Sequence, residues 1–593
     1  MKAIDRRRRD PLTKRLGDAL YSLGEKLGGT LIFNPIMNSL SKAYSLPIYT
    51  SGLRTTPRRH SAQLIALTAI AITVGFALLA TSTIAPIPPL AALILTSVPA
   101  LAVAFHALRP QIGVASRKSG CERELPFAAT FLTMAAAASI SLPSAILTLS
   151  RMRFLKSFRR EAERIEKVRR LYALSPQDAI IFEAKNHPSE SVRGLLLAAV
   201  SAQRSGESLF LTMKDESVKA LSILLSRLKV LSDKFSLIAS SQMIVFVIVP
   251  MAMIAISTMF SGIIGIQTLF MICIVLPVIF TPLMAFLIDS FYPKELSEPV
   301  SLKTFVLSLT FAPAAVALYF FFYSAPTPPA LPFHLSLALL CLGTTLPAGA
   351  LYSISRRRTR EILFALPSFT RSVAEEVKKG LSPTQAVFLI SKSRTFNRSF
   401  DALITKISTN TRGGIKLAEA AAAVRMPWIA HVYFELLDYA EQIGADPRTM
   451  DALSDLVSNV YESIRSLGSQ TQLFKVACIV NSVILPLSIA MVVEVVVKLF
   501  SEVMKASQLT NVPLPVGLSF IPPESIPIIS TIAYSSVILN SYLIGLLGGK
   551  VSNGGSVTDG LLIATVCVFI STLSLFLFVD LSLISFVFPA VVQ

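Results

Sequence analysis

Nine stretches of this chain are each long and apolar enough to cross a lipid bilayer, and that decides most of what it can fold into. A crossing helix needs about 20 apolar residues, because a rise of about 1.5 Å per residue must cover about 30 Å of hydrocarbon. The stretches fall at 62–84, 87–108, 236–259, 263–289, 304–323, 331–353, 474–499, 525–547 and 560–588. No water inside a bilayer satisfies backbone N–H and C=O groups, so only helices and closed barrels span it, and runs of this length select helices. Only 15% of the 593 residues are charged and the mean hydropathy is +0.63, against about a quarter charged in soluble proteins. A soluble globular enzyme is excluded. Arg6-Arg7-Arg8-Arg9 has no apolar run directly behind it, so the first membrane helix is expected to stay in the protein.

The charges that remain are segregated. Of 55 Lys and Arg residues, 50 lie in 1–61, 109–235 and 354–475, whereas the turns near Ala85, Ser261 and Pro328 carry no charge. Basic residues beside membrane helices are retained on the cytoplasmic side. The N-terminus is therefore placed inside and, with nine crossings, the C-terminus outside. The 290–303 linker, with Lys294, Glu295, Glu298 and Lys303, is neutral and is placed inside by parity.

Two segments between membrane helices, 109–235 and 354–473, are long enough to be folded modules. Both read as helical. Phe154, Leu155, Phe158, Ala162, Ile165 and Val168 recur at helical spacing, and Glu163–Lys167 and Glu166–Arg170 are i,i+4 pairs. The modules also resemble each other at an offset of 241 residues. Leu125-Pro126 falls on Leu366-Pro367, Ile140-Ser141 on Leu381-Ser382, Ala145 on Ala386 and Asp178-Ala179 on Glu419-Ala420; after a gap of three, Ala202 and Gly206 fall on Ala440 and Gly444. The helix leaving each module has an interior proline, Pro250 or Pro486. The fold class expected is all-α: a polytopic membrane protein with about nine transmembrane helices and two cytoplasmic helical-bundle modules arranged as an internal repeat. Its parts are a basic cytoplasmic tail at 1–61, helices 1–2 at 62–108, module 1 at 109–235, helices 3–4 at 236–289, a linker at 290–303, helices 5–6 at 304–353, module 2 at 354–473, helices 7–8 at 474–547, and a ninth helix at 560–588 outside the repeat.

No catalytic constellation stands out. Gly413-Gly414-Ile415-Lys416 and Gly548-Gly549-Lys550 lack the spacing and following hydroxyl of a phosphate loop, so the chain is not expected to hydrolyse nucleotides. The histidines His60, His106, His187, His334 and His431 are scattered, and Cys121, Cys273, Cys341, Cys478 and Cys567 show no metal or disulfide spacing. Neither metal nor cofactor is expected. Membrane-helix charges are few: Glu494 and Lys498 as an i,i+4 pair, Asp289 and Asp580 near interfaces. A single tryptophan, Trp428, and sparse aromatics offer nucleic acid no stacking platform. Module 1 carries a net charge of +9 and module 2, counted through Lys475, of +5, which suits a partner with acidic faces or anionic lipid headgroups.

Glu124-Leu125-Pro126 with Ser139-Ile140-Ser141, and Ala365-Leu366-Pro367 with Gly380-Leu381-Ser382, resemble the acidic-Leu-Pro opening and Gly-x-Ser turn of type II secretion F-domain proteins. The duplicated layout resembles, within that family, the membrane platform proteins of archaeal type IV pili and archaella. The chain departs from the pattern with Ser139 in place of Gly and Ala365 in place of an acid. The resemblance implies two cytoplasmic helical bundles on a non-enzymatic platform that assembles a filament of pilin subunits, driven by a separate hexameric secretion ATPase; the family often works as a dimer. Contact with the ATPase is then expected at Arg159, Arg160, Arg169 and Arg170 in module 1 and at Arg356, Arg357, Arg358, Lys378, Lys379 and Lys416 in module 2. The competing reading is a transporter or channel regulated by the modules, since duplicated membrane units are common there too. An intramembrane enzyme is the third.

Overall fold

The computed structural model describes residues 11–28, 34–53, 55–84, 89–259, 266–291, 316, 332–444, 446–496, 526–553 and 557–580. Among them there is no strand, and seven helices are long and apolar enough to cross a membrane. The chain is an all-α polytopic membrane protein. Of the nine expected crossings, 304–323 lies outside the described residues, and 87–108 is helical from Pro89 onward. Two compact units divide the chain, Met1–Ala220 and Leu221–Gln593.

In the first unit, α1 (Pro11–Gly28), α2 (Asn34–Ala43) and α3 (Ser45–Ser51) precede two long helices, α4 (Pro57–Ile84) and α5 (Pro89–Ala137). The described residues of the segment expected as a basic tail are thus largely helical. Met37, Ala62 and Ile65 form a small core with Tyr21, Leu27 and Leu40. Gly24 lets α1 touch α4 directly, since a Cβ there would meet the Ala62 carbonyl oxygen at 1.9 Å. Arg59 pairs with Asp18, and the Gln63 amide donates to the Gly17 carbonyl at 2.9 Å. Four shorter helices follow: α6 (Leu142–Leu149), α7 (Lys156–Tyr172), α8 (Pro176–Lys185) and α9 (Glu190–Ser205). Helix α10 (Leu209–Met243) then carries the chain onward.

In the second unit, π-helical turns at Ile244–Ile248 and Met271–Val275 lead into α11 (Val249–Met259) and α13 (Leu276–Phe291), with α12 (Ile266–Phe270) between them. Each turn lies just before a proline, Pro250 or Pro277. Proline lacks the donor that a regular helix needs and clashes with the carbonyl four residues back; a wider turn relieves both. Helix α14 (Phe333–Lys378) enters the second module without a break. Then come α15 (Pro383–Ser393), α16 (Arg398–Arg412), α17 (Leu417–Ala422) and α18 (Trp428–Gln442), and α19 (Pro447–Met491) leaves it. Phe369 on α14 is wholly buried and packs edge-on against Phe400 and Tyr433, at centroid distances of 5.1 and 6.2 Å.

The last two long helices among the described residues, α20 (Ile526–Asn553) and α21 (Leu561–Leu575), meet in a close seam. A Cβ at Gly545 would stand 2.5 Å from Ala564 Cα, at Gly549 2.3 Å from Gly560 Cα, and at Gly349 on α14 2.8 Å from the Leu562 nitrogen. Small residues allow this backbone approach, which supplies the packing that lipid gives no other reason to form. The ninth apolar stretch, expected outside the repeat, supplies Ile563, Cys567, Val568 and Leu575 to the core of this unit.

The residues paired by the 241-residue offset share local environments. Ser139 and Gly380 both adopt positive φ, 58° and 98°, as do Gly206 and Gly444, at 76° and 95°. Ala145, Ala179 and Ala202 are buried, and so are Ala386, Ala420 and Ala440. Ser141 and Ser382 both stand at the N-cap of helices with proline in the first turn, and Ser382 forms a reciprocal capping box with Gln385.

Gly549→Val should destabilise the detergent-solubilised protein by more than about 2 kcal/mol, because backbone rather than a flexible side chain blocks the added methyls. Gly75→Val, where nothing lies within 4 Å, should change it by less than about 0.5 kcal/mol. Thermal unfolding of both variants checks the seam.

Candidate functional site

The strongest concentration of charge inside the first unit is centred on Arg117, on α5. Its guanidinium donates from Nε to Glu161 Oε1 at 2.9 Å, from Nη2 to Glu161 Oε2 and Glu183 Oε1 at 2.5 Å each, and from Nη1 to the Thr50 carbonyl at 2.7 Å. Arg164 adds a second cation 3.5 Å from Glu183, and the Tyr49 hydroxyl donates to the same carboxylate at 3.5 Å. Two cations thus face two anions, which is what allows ionised groups to persist at such burial. The Arg117, Glu161 and Glu183 side chains are at most 6% exposed. The cluster joins α3, α5, α7 and α8, so the N-terminal helices and the module are held by one hub.

His187 closes the cluster. Its Nδ1 lies 3.0 Å from the Ser189 nitrogen and 3.3 Å from the Ser189 carbonyl oxygen, and its Nε2 faces Glu161 at 3.8 Å. Ligand atoms of Cys121, Glu161 and His187 all lie within 4.8 Å of one another, a spacing a metal ion could use. Two of the three are unsuited to it: both Glu161 oxygens accept from Arg117, and burial pushes the Cys121 thiol well up, away from the thiolate a metal needs. A divalent cation would also sit against the Arg117 guanidinium. The cluster is an ion-pair hub.

Two acids explain the helix openings. Glu124, fully buried, accepts the N–H groups of Ser157 and Phe158 at 2.8 and 3.0 Å, capping α7 from across the module. Its burial raises its pKa despite these bonds. In the second module, Ala365 stands at the matching position and Glu361, one turn earlier, takes the same kind of part: it accepts from Ser399 Oγ at 2.5 Å while its carbonyl accepts from Asn397 Nδ2, both at the start of α16.

The residues expected to meet a partner fall into two groups. Several are paired within the chain: Arg159 with Glu163, Arg169 and Arg170 with Glu166, Arg357 with Glu361, Lys378 with Asp451, and Lys379 with Glu376. The pair Glu166–Arg170 forms as expected, whereas Glu163 turns to Arg159 rather than Lys167. Arg160, Arg358 and Lys416 are exposed, and Arg356 is partly buried. Sequence reasoning missed Lys392 and Arg412, which converge on one ring: Lys392 Nζ lies 4.7 Å and Arg412 Cζ 3.9 Å from the Phe388 centroid. The only signal for them is the i,i+4 spacing of Phe388 and Lys392. Exposed Leu389 and Ile415 adjoin this cationic patch in sequence.

One further charge was missed. Lys550, on α20, is 1% exposed and donates to the Ala285 carbonyl and to Asp289 Oδ1, both at 2.8 Å. A cation at the last turns of α13 complements the carbonyl end of that helix. The pair sets the ends of α13 and α20 at one level. Of the other expected membrane charges, Lys498 lies outside the described residues, and Glu494 sits in a π-helical turn at Val492–Val496.

Residues 369–493, which span most of the second module and the helix leaving it, match the family model described as Type II secretion system (T2SS), protein F. No curated protein and no solved structure matches the chain.

Acid should weaken the first unit in a defined window. Burial lowers the His187 pKa from 6.5 to about 4. Burial alone would raise Glu161, but the Arg117 hydrogen bonds outweigh it and hold that carboxyl below its usual range. Both shifts are downward, so their stabilisation is present above the unfolded pKa values and is lost as pH falls through the folded ones. Thermal unfolding should show up to about 3 kcal/mol lost between pH 6.5 and 4 from His187, and His187→Gln should flatten that slope. Arg117→Met, which leaves buried Glu161 without its arginine and Glu183 with Arg164 alone, should cost about 3–5 kcal/mol at neutral pH.

Proposed function

Starting from a type II secretion F domain in the second half of the chain, we propose that this protein is the membrane platform of an archaeal type IV pilus-like machine, coupling a cytosolic secretion ATPase to extraction of pilin subunits from the bilayer and their addition to a filament. The observation that carries this reading is the continuity of helices between membrane and module. Helix α14 runs 46 residues, about 69 Å at 1.5 Å per residue, from the 331–353 apolar stretch to the end of the module's first helix. Helix α5 runs 49 residues in the same way in the first unit. A module that tilts therefore moves its membrane segment with it, with no loop to absorb the displacement.

The chain itself is a membrane-embedded, non-catalytic part in this account, and the ATPase supplies the energy. Basic residues flank the inner ends of the crossings, which supports modules facing the cytosol. The Asp289–Lys550 pair supports the same face for the 290–303 linker and the end of the eighth crossing. A nucleotide-driven partner moves the modules only if its states bind them unequally. The cations it would meet first are taken from those with no carboxylate partner among the described residues: Lys392 and Arg412 on Phe388, then Lys416.

Replacing Lys392, Arg412 and Lys416 together by Glu should reduce stimulation of the co-purified ATPase at least tenfold while membrane insertion is unchanged. The same reversal at Arg169 and Arg170, already satisfied by Glu166, should have a smaller effect. Solute flux in liposomes holding only this protein would instead support the transporter reading and overturn the proposal.

A further inference from the structure

The inner faces of α1–α3 are used against α4 and α5, while their outer faces mix polar side chains such as Asp18, Glu25 and Asn38 with exposed Leu23, Ile36 and Leu46. Their cover of α4 ends at Ala66: residues 60–66 of α4 are buried, and from Ile70 to Phe76 that helix exposes Ile70, Ile72, Val74 and Phe76. On the covering helices Leu46 is 65% and Ile36 47% exposed. Helix α5, on which α3 packs at Gly113, exposes Phe105, Leu108 and Ile112 at helical spacing. Lys26, Lys42 and Arg109 are exposed on the same elements, and residues 1–61 hold 12 basic side chains against four acidic.

We propose that α1–α3 with the adjoining turns of α5 form an interfacial sleeve that seats in the headgroup region of the bilayer crossed by α4 and α5 and binds its anionic lipids. An amphipathic helix with an apolar outer edge and flanking cations lies in that plane. Each cation near an anionic surface strengthens binding about fivefold. The lipid is favoured over a soluble acidic partner because these exposed apolar side chains stand in the same unit as the bare apolar turns of α4 from Ile70 to Phe76. The sleeve fixes the depth of the first unit, and the Arg117 hub passes that anchorage to the module through Thr50.

The test uses the full chain in phosphatidylcholine vesicles with and without phosphatidylglycerol, carrying an environment-sensitive fluorophore at Leu46→Cys and, separately, at exposed Glu190→Cys. With phosphatidylglycerol present, the Leu46 label should be quenched by lipid-borne nitroxide and be several-fold less accessible to iodide than the Glu190 label. Adding Lys26→Glu and Lys42→Glu should return it towards the Glu190 value. Equal iodide access at both positions would overturn the sleeve, and shielding that is identical in neutral vesicles and insensitive to the charge reversals would overturn the anionic-lipid assignment. Leu46 and both lysines are exposed, so an unchanged thermal unfolding curve establishes that each variant is folded.

Discussion

A backbone placed in hydrocarbon must satisfy its own hydrogen bonds, and the rest of this structure depends on that constraint. It turns the described apolar stretches into helices. Helices α5 and α14 each continue from an apolar stretch into the more polar segment that follows it. Where prolines interrupt the ladder near the start of α11 and α13, the chain widens into a π-helical turn instead of breaking. The result is a set of rods that join aqueous and lipid parts, which suits a device that transmits displacement.

Charge is handled according to depth. At the module surface several cations meet nearby acids in weak, exchangeable pairs. In the hub of the first unit, two arginines and two glutamates balance under near-complete burial. At the end of α13, a single lysine is held by one carbonyl and one half-exposed carboxylate. The first kind can be traded for a partner's carboxylates, whereas the second and third lock helices together.

Features with a local signature were legible in the sequence. The apolar spans are helices wherever the residues are described, and the offset that aligned Ser139 with Gly380 and Gly206 with Gly444 picked out positions that share left-handed backbone. The motif acid Glu124 was recognised by its neighbours, and its capping of α7 gives a physical reason for it. Features made by distant pairings were not legible. Arg117 meets residues 44 and 66 positions away, and Lys550 meets a carbonyl 265 away, so no periodicity announces them. Lys550 was weighed only as part of a failed phosphate loop, although the glycines beside it mark a close helix seam. The segment 1–61 read as a tail because short amphipathic helices, separated by turns, give no long apolar run.

Rigid continuity between membrane helix and module is the central claim, and a spin-label distance along α14 tests it most directly. Labels at exposed Leu339, in the apolar part, and exposed Phe364, in the module part, are 25 residues apart. In the reconstituted protein the account predicts one narrow distance distribution near 37 Å, the length of an unbroken helix at about 1.5 Å per residue. A broad or much shorter distribution would show a flexible joint between the two parts and contradict the account.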